Sequence, residues 1–83
     1  MADLVKSAKK RLILIDNYLD ETVFTLLSQR CEGVTATIYT ENISQALALA
    51  IKKHNEQYPT IEVNIYKKNH DRFLIVDDEI YHI

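Results

Sequence analysis

Apolar residues recur along the chain with two different spacings, and each spacing predicts a type of element. In three segments they recur about every three to four residues, which is typical of amphipathic helices. These segments are residues 2–10, 20–30 and 44–58. Asp20 and either Asn42 or Ser44 are suitable N-caps for the second and third helices, while Gly33 and Pro59 follow their ends. The chain is therefore expected to contain three helices.

Five short segments have the spacing or composition of β-strands. They are Leu12–Ile15, Val34–Tyr39, Ile61–Tyr66, Phe73–Val76 and Ile80–Ile83. The first and fourth are continuous apolar runs, which favours strands covered on both faces, whereas the second and third alternate in polarity. Asp77, Asp78 and Glu79 form a turn signal, so the last two strands are expected to make a hairpin.

The order of these elements predicts an α/β fold. A helix separates each of the first three strands from the next, so these strands are expected to be parallel, while the hairpin adds an antiparallel element. The predicted architecture is a mixed sheet of about five strands between helical layers, with Leu12–Ile15 and Phe73–Val76 as adjacent or near-adjacent central strands. The 83 residues include one glycine and one proline, which leaves little room for a linker, so residues 1–83 are expected to form a single domain.

Composition and charge exclude several classes of protein. Apolar residues make up 47% of the chain and charged residues 27%, which is typical of a folded domain. The net charge of −2 argues against a general nucleic-acid-binding surface, so any anion site must be local. No apolar run approaches the roughly 20 residues that span a bilayer, and no signal sequence is recognisable. The single Cys31 cannot form an internal disulfide, and it is expected to be a small buried hydrophobe in a soluble, cytoplasmic protein.

The candidate chemistry lies in the stretch from His70 to Asp77, around the fourth strand. If strand conformation extends back to His70, this residue and Arg72 share a face, because alternate side chains of a strand point the same way. A neutral imidazole can attack phosphorus, and a guanidinium can hold the non-bridging oxygens, so the pair suits a phosphate diester. Lys67 and Lys68 directly precede the stretch and are expected to add positive potential where phosphate would bind.

The spacing of His70, Arg72 and Asp77 resembles the His-x-Lys-x4-Asp signature of the phospholipase D superfamily. Arginine stands here where the family has lysine, and the chain stops at Ile83, where the family's Gly-Ser-x-Asn segment is due. The segment Leu12–Asp20 is also similar to the first core strand of many members, with an asparagine in place of the proline of their Asp-Pro-Tyr-type turn. We therefore expect a phospholipase D-like half-domain that is truncated at its C-terminus.

This resemblance implies a two-step phosphoryl transfer that needs neither a metal nor another cofactor. In the family, one histidine attacks phosphorus to form a phosphohistidine, and a histidine from a second copy of the motif protonates the leaving oxygen. On this chain the resemblance gives His70 as the nucleophile, Arg72 as the phosphate clamp and Asp77 as a supporting acid. With one motif per chain it also implies a homodimer that acts on a phosphodiester, in nucleic acid or lipid. The truncated chain alone is expected to be inactive.

Three other hypotheses are open at this stage. The first is a non-catalytic phosphate- or nucleic-acid-associated binding or dimerisation module of a larger bacterial protein. The second is an interaction domain in which the three-residue motif is accidental, since short patterns arise by chance. A third, weaker hypothesis is a receiver domain, because Asp16 and Asp20 flank the end of the first strand. The later strands lack a phospho-accepting aspartate, so helix capping is favoured for Asp20.

The remaining histidines favour structural roles. His54 lies on the apolar side of the third predicted helix, where a hydrogen-bonded boundary residue is more common than a ligand. A metal site at His70, Asp71 and His82 is disfavoured, because the first two face opposite ways in a regular strand. The sequence therefore predicts no metal.

Overall fold

The computed structural model describes residues 2–17, 19–67 and 71–82. Within these residues the helices are α1 (Ala2–Ser7), α2 (Thr22–Leu27) and α3 (Gln45–Gln57). The strands are β1 (Arg11–Ile15), β2 (Thr35–Thr40), β3 (Ile61–Ile65), β4 (Phe73–Val76) and β5 (Glu79–His82). The predicted α/β class and mixed five-stranded sheet are confirmed, with α1 and α2 shorter than expected. No helix in the described parts of the chain is long and apolar enough to cross a membrane.

The strands lie in the order β3-β2-β1-β4-β5. β1 pairs in parallel with β2 and antiparallel with β4, so that Leu14 lies between Ile38 and Leu74. β2 pairs in parallel with β3, and β4 and β5 form the antiparallel hairpin. The predicted strand directions and the adjacency of β1 and β4 are thus confirmed. As a result, β1, β2 and β3 end at one edge of the sheet, where β4 begins, and we call this edge the carboxyl edge.

The hydrophobic core lies between the three helices and one face of the sheet. The buried apolar side chains of the helices are Val5, Val23, Phe24, Leu27 and Leu47. Those of the strands are Leu12, Leu14, Ala36, Ile38, Ile61, Leu74 and Val76. Cross-strand register places these strand residues on a common face, because Leu12 lies opposite Ala36 and Val76. One sheet face therefore supplies nearly all of the fully buried strand positions.

The opposite face of the sheet is only partly covered, and it is apolar where β1 and β4 meet but largely polar on β2 and β3. Ile13, Ile15, Phe73 and Ile75 on this face are intermediate in exposure, and Ile80, which lies opposite Ile75, is 68% exposed. The expectation of helical layers on both faces is therefore wrong for the described residues. A run of apolar residues in a strand does not reveal whether one or both faces are covered, since much of a folded protein's surface is apolar. We call this surface the open face.

Several local signals in the sequence act as expected. The hydroxyl of Ser44 accepts a hydrogen bond from the N–H of Leu47 at 3.1 Å and caps α3. Gly33 has a φ of +84°, which glycine adopts without steric cost, and it precedes β2. Asp20 lies one residue before the N-cap position of α2, yet its carboxylate accepts from the N–H of Thr22 at 3.0 Å. It therefore satisfies one of the unpaired N–H groups at the start of this helix.

Cys31 is exposed, so the expectation of a buried thiol is wrong. The residue follows α2 in a turn, and its thiol lies 3.4 Å from the carbonyl oxygen of Lys6, to which it donates. The apolar spacing that suggested burial belongs to the helix, which ends at Leu27, four positions earlier.

The two faces of the sheet lead to a prediction for packing energies. Leu14 is 2% exposed on the covered face, so Leu14→Ala should lower the free energy of unfolding by about 2–4 kcal/mol. Ile75→Ala on the open face should lower it by at most about half as much, because the isoleucine is already partly exposed. Urea denaturation followed by circular dichroism measures both. Equal losses would show that the open face is covered in solution.

Candidate functional site

Two of the predicted site residues, His70 and Lys68, lie outside the described residues. The described ones are Lys67 after β3, Arg72 before β4 and Asp77 after β4. Because β4 has four residues, Arg72 and Asp77 lie at opposite edges of the sheet. The structure therefore does not bring the predicted phosphate clamp and the predicted supporting acid together.

Arg72 lies at the carboxyl edge and is bound to Asp16. The pairing of Ile15 with Phe73 places the residue after β1 beside the residue before β4. The Nε of Arg72 donates to Oδ2 of Asp16 at 2.9 Å, and the N–H of Asp16 donates to the carbonyl oxygen of Tyr39 at 3.0 Å. Asp16 is 3% exposed, whereas the Arg72 side chain is 44% exposed. A buried carboxylate thus fixes one side of a half-exposed guanidinium.

A cavity of about 250 Å³ adjoins this ion pair. Its polar lining is Asp16, Asp20, Thr22 and Arg72, and its apolar lining is Leu19, Val23 and Leu26. The residues come from the end of β1, the start of α2 and the start of β4, which meet at the carboxyl edge. Clefts outside the carboxyl ends of strands are common ligand sites in open α/β sheets. The cavity is therefore the candidate site among the described residues.

Asp20 contributes a second carboxylate to this cavity. Its carboxylate accepts hydrogen bonds from both the hydroxyl and the N–H of Thr22. These two bonds, together with the positive charge of Arg72, hold the pKa of Asp20 below its ordinary value. The carboxylate is consequently ionised near neutral pH. The cavity presents one guanidinium and two carboxylates from the described residues.

The role of Asp16 was not predicted from the sequence. Both Asp16 and Asp20 were expected at the end of the first strand, but residue spacing does not connect them with Arg72, which is 56 positions away from Asp16. The connection depends on the antiparallel register of β1 and β4, which brings the two residues together. An acid directly after one apolar run and a cation directly before another was the available signal. This pattern indicates an ion pair only when the pairing of the two strands is known.

Asp77 binds the backbone at the start of β1. Its carboxylate accepts hydrogen bonds from the N–H groups of Lys9 at 3.2 Å, Lys10 at 2.8 Å and Arg11 at 3.2 Å. The N–H groups of Lys10, Arg11 and Lys9 hold the pKa of Asp77 below its ordinary value. Its own backbone has a φ of +56°, a conformation that aspartate tolerates better than most residues. These contacts give Asp77 a structural role at the edge opposite the cavity.

His54 is buried, and it lines a second, larger cavity between α2 and α3. This cavity has a volume of about 720 Å³. The Nε2 of His54 lies 3.2 Å from Nη1 of Arg30, and its ring stacks on Tyr58 at 4.9 Å between centroids. Burial and the charge of Arg30 lower the pKa of His54. The neutral ring accepts a hydrogen bond from Arg30, so His54 is a hydrogen-bonded residue as predicted, although it is buried and does not lie at a boundary.

The structure also bears on the metal and receiver-domain hypotheses. Among the described residues, no group of three or more histidines, cysteines and acids is placed to hold a metal ion. The Nε2 of His82 lies 3.8 Å from Oδ1 of Asp71, and both side chains are exposed. The receiver-domain hypothesis is wrong, because that fold has the strand order 2-1-3-4-5, whereas this sheet has the order 3-2-1-4-5 with an antiparallel β4.

The contacts of Asp77 predict a change in acid stability. Its pKa is lowered by folding, so its contribution is present above the unfolded-state pKa of about 3.9 and is lost as the pH falls through the folded-state pKa. Asp77→Asn should lower the urea midpoint at pH 7 and should reduce the decrease of this midpoint as the pH falls. Asparagine is the suitable replacement because it also tolerates positive φ. Asp78→Asn is the control, because Asp78 binds only the Arg11 side chain among the described contacts. Equal effects of the two substitutions would contradict the role of Asp77.

His54 predicts a second pH effect. Because its pKa is lowered in the folded state, the unfolded chain binds a proton first as the pH falls below about 6.5. The free energy of unfolding should therefore decrease from pH 7.5 to pH 5, and His54→Gln should reduce this dependence. His82→Gln, at an exposed histidine, should leave the dependence unchanged. An unaltered pH profile in His54→Gln would show that His54 does not cause it.

Comparisons of the chain with protein-family models, curated proteins and solved structures found no match in any of the three. The resemblance to the phospholipase D superfamily therefore stays a prediction from the motif. Conclusions about function depend on the geometry around Arg72.

Proposed function

We propose that the protein is a phosphodiester-binding domain of phospholipase D type, which acts as a metal-independent phosphodiesterase or nuclease when two copies associate. The observation that carries the proposal is the placement of Arg72. Its Nε is fixed by Asp16, and no described residue accepts a hydrogen bond from its two terminal nitrogens. The Arg72 side chain is half-exposed and lines a cavity, which suits two-point binding of phosphate oxygens by these nitrogens.

In the proposed reaction, a ring nitrogen of His70 attacks phosphorus while Arg72 holds the non-bridging oxygens. The new P–N bond forms as the P–O bond to the leaving group breaks, and the leaving oxygen takes a proton from His70 of a second copy. Water, deprotonated by that second histidine, then breaks the P–N bond and restores the first. No metal is required, because the guanidinium offsets the charge that develops on the phosphoryl oxygens.

Lys67 supports this proposal through its positive charge and not through contact with the phosphate. It directly follows β3, and β3 ends at the carboxyl edge, as β1 does. Three strand spacings separate β3 from β4, about 14 Å at roughly 4.8 Å each. We therefore assign Lys67 a contribution to the local potential and no direct contact with a phosphate held by Arg72. Lys68 is proposed to act in the same way.

The proposed homodimer follows from the chemistry, since the chain has one copy of the motif and the reaction uses two histidines. The open face gives one apolar surface on which a second copy can pack. Nucleic acid is the proposed substrate class, with lipid phosphodiesters as the alternative. The single cysteine supports a location in the reducing cytoplasm.

One observation favours a second candidate function, a non-catalytic phosphate-binding or dimerisation module. Asp16 occupies the Nε of Arg72 and, with Asp20, surrounds the cation with two carboxylates. These charges weaken the stabilisation that Arg72 can give to developing negative charge. Such a site can bind a phosphodiester without accelerating its cleavage.

A binding experiment tests the feature that the two candidate functions share, which is the binding of a phosphodiester by Arg72. Titration with dimethyl phosphate, followed by ¹H–¹⁵N NMR, should shift resonances around Arg72, and added salt should weaken binding. Arg72→Ala should remove most of the affinity, and Arg72→Lys should retain part of it. Arg11→Ala is a matched control, because Arg11 is also half-exposed and paired with an aspartate but lies at the opposite edge. If Arg11→Ala and Arg72→Ala lose affinity equally, the proposed site is wrong.

A cleavage assay distinguishes between the two candidate functions. A generic phosphodiester such as bis(p-nitrophenyl) phosphate is incubated with the protein in the presence of a chelator, and the oligomeric state is measured by analytical ultracentrifugation. The enzyme proposal expects a dimer whose activity is abolished by His70→Ala and retained by His82→Ala. Binding without cleavage favours the module, and cleavage that survives His70→Ala contradicts the mechanism.

A further inference from the structure

The charges around Arg72 differ from those of a simple anion site. The described lining of the 250 Å³ cavity contains one guanidinium and two carboxylates, Asp16 and Asp20, so its formal charge is −1. An anion that enters is attracted by Arg72 and repelled by both acids. The apolar side chains of Leu19 and Val23 on the same lining reduce screening by water and strengthen both effects.

Neither acid is placed to move away from a bound anion. Asp16 is 3% exposed and is held by Arg72 at 2.9 Å. The carboxylate of Asp20 is held by the N–H of Thr22 at 3.0 Å and by the hydroxyl of the same residue. Both negative charges are therefore fixed parts of the site.

Phosphate esters differ in the charge that they carry into such a site. A diester has one negative charge at all pH values near neutrality, whereas a monoester gains a second charge above a pKa of about 6. Coulomb interactions are proportional to the ligand charge, so both the attraction by Arg72 and the repulsion by each carboxylate are twice as large for the doubly charged monoester. The charge of Asp20 therefore weakens monoester binding more than diester binding.

We infer that Asp20 is a specificity-determining residue, whose charge shifts the preference of the cavity towards singly charged phosphodiesters and away from doubly charged phosphomonoesters. This inference rests on the proposed function, because it assumes that Arg72 binds phosphate oxygens. Asp16 has the same sign, but it also positions Arg72, so its replacement would change two properties at once. Asp20 has no described hydrogen bond to Arg72, which lets its charge be removed separately.

The test compares dimethyl phosphate with methyl phosphate at pH 8, where the monoester is doubly charged. Dissociation constants are measured by NMR titration for the unaltered protein and for Asp20→Asn, whose side-chain oxygen can still accept from Thr22. The ratio of the monoester to the diester dissociation constant should be larger for the unaltered protein than for Asp20→Asn. Asp20→Asn should improve diester binding by about two- to threefold and monoester binding by about the square of that factor, because the removed repulsion scales with ligand charge.

Glu32→Gln is the matched control, because it removes one exposed negative charge from the turn before β2, at the opposite edge of the sheet. It should change neither dissociation constant appreciably. If Asp20→Asn does not fold, Asp20→Ser removes the same charge and keeps a capping oxygen.

The possible outcomes separate the inference from the proposed function. An equal improvement for both ligands, or a smaller improvement for the monoester than for the diester, overturns the role of Asp20 while leaving phosphate binding at Arg72 intact. The proposed function fails, and the inference fails with it, if the unaltered protein binds neither ligand. The same conclusion follows if the Arg72→Ala variant binds both ligands as tightly as the unaltered protein.

Discussion

The pairing of β1 with strands on both sides is the constraint on which the rest of the structure depends. β1 lies at the centre of the sheet, between β2 and β4, and its Leu12 and Leu14 are almost fully buried. The parallel partner comes from the middle of the chain and the antiparallel partner from near its end. Because β4 runs antiparallel to β1, the end of β1 meets the start of β4. This single arrangement forms the carboxyl edge, the ion pair of Asp16 with Arg72 and the cavity beside it.

The sequence was sufficient to predict most of the architecture, because the relevant signals are local. Helical spacing of apolar residues, the capping serine Ser44 and the helices between the first three strands together predicted the elements and their directions. The number of layers was not predictable in the same way. Ile13 and Ile75 have the same hydrophobicity as Leu14, although they lie on the open face. Whether a strand residue is covered depends on where the helices pack, and the apolar run carries no information about that.

The candidate site was predictable in part. The motif predicted that Arg72 binds phosphate, and the structure places this residue at a cavity on the carboxyl edge. Its buried partner Asp16 was not predictable from spacing, since the two residues meet only through the register of β1 and β4. Asp20 was expected to cap a helix, and it does bind the first turn of α2. The same carboxylate also lines the cavity, so one side chain combines a local role that sequence reveals with a tertiary role that it does not.

The position of Asp77 changes what a match to the three-residue motif means. Its carboxylate joins the turn after β4 to the backbone that leads into β1, and it lies a full strand length away from Arg72. The motif therefore combines a proposed ligand-binding end with a framework end, and the four residues between them pair at the centre of the sheet. A chain that retained only the aspartate would preserve the scaffold without the chemistry, and one that lost only the aspartate would carry the chemical groups on a loosened scaffold. Loss of activity on substituting this aspartate would accordingly be a measure of folding, and it would be weak evidence for proton transfer by its carboxyl group.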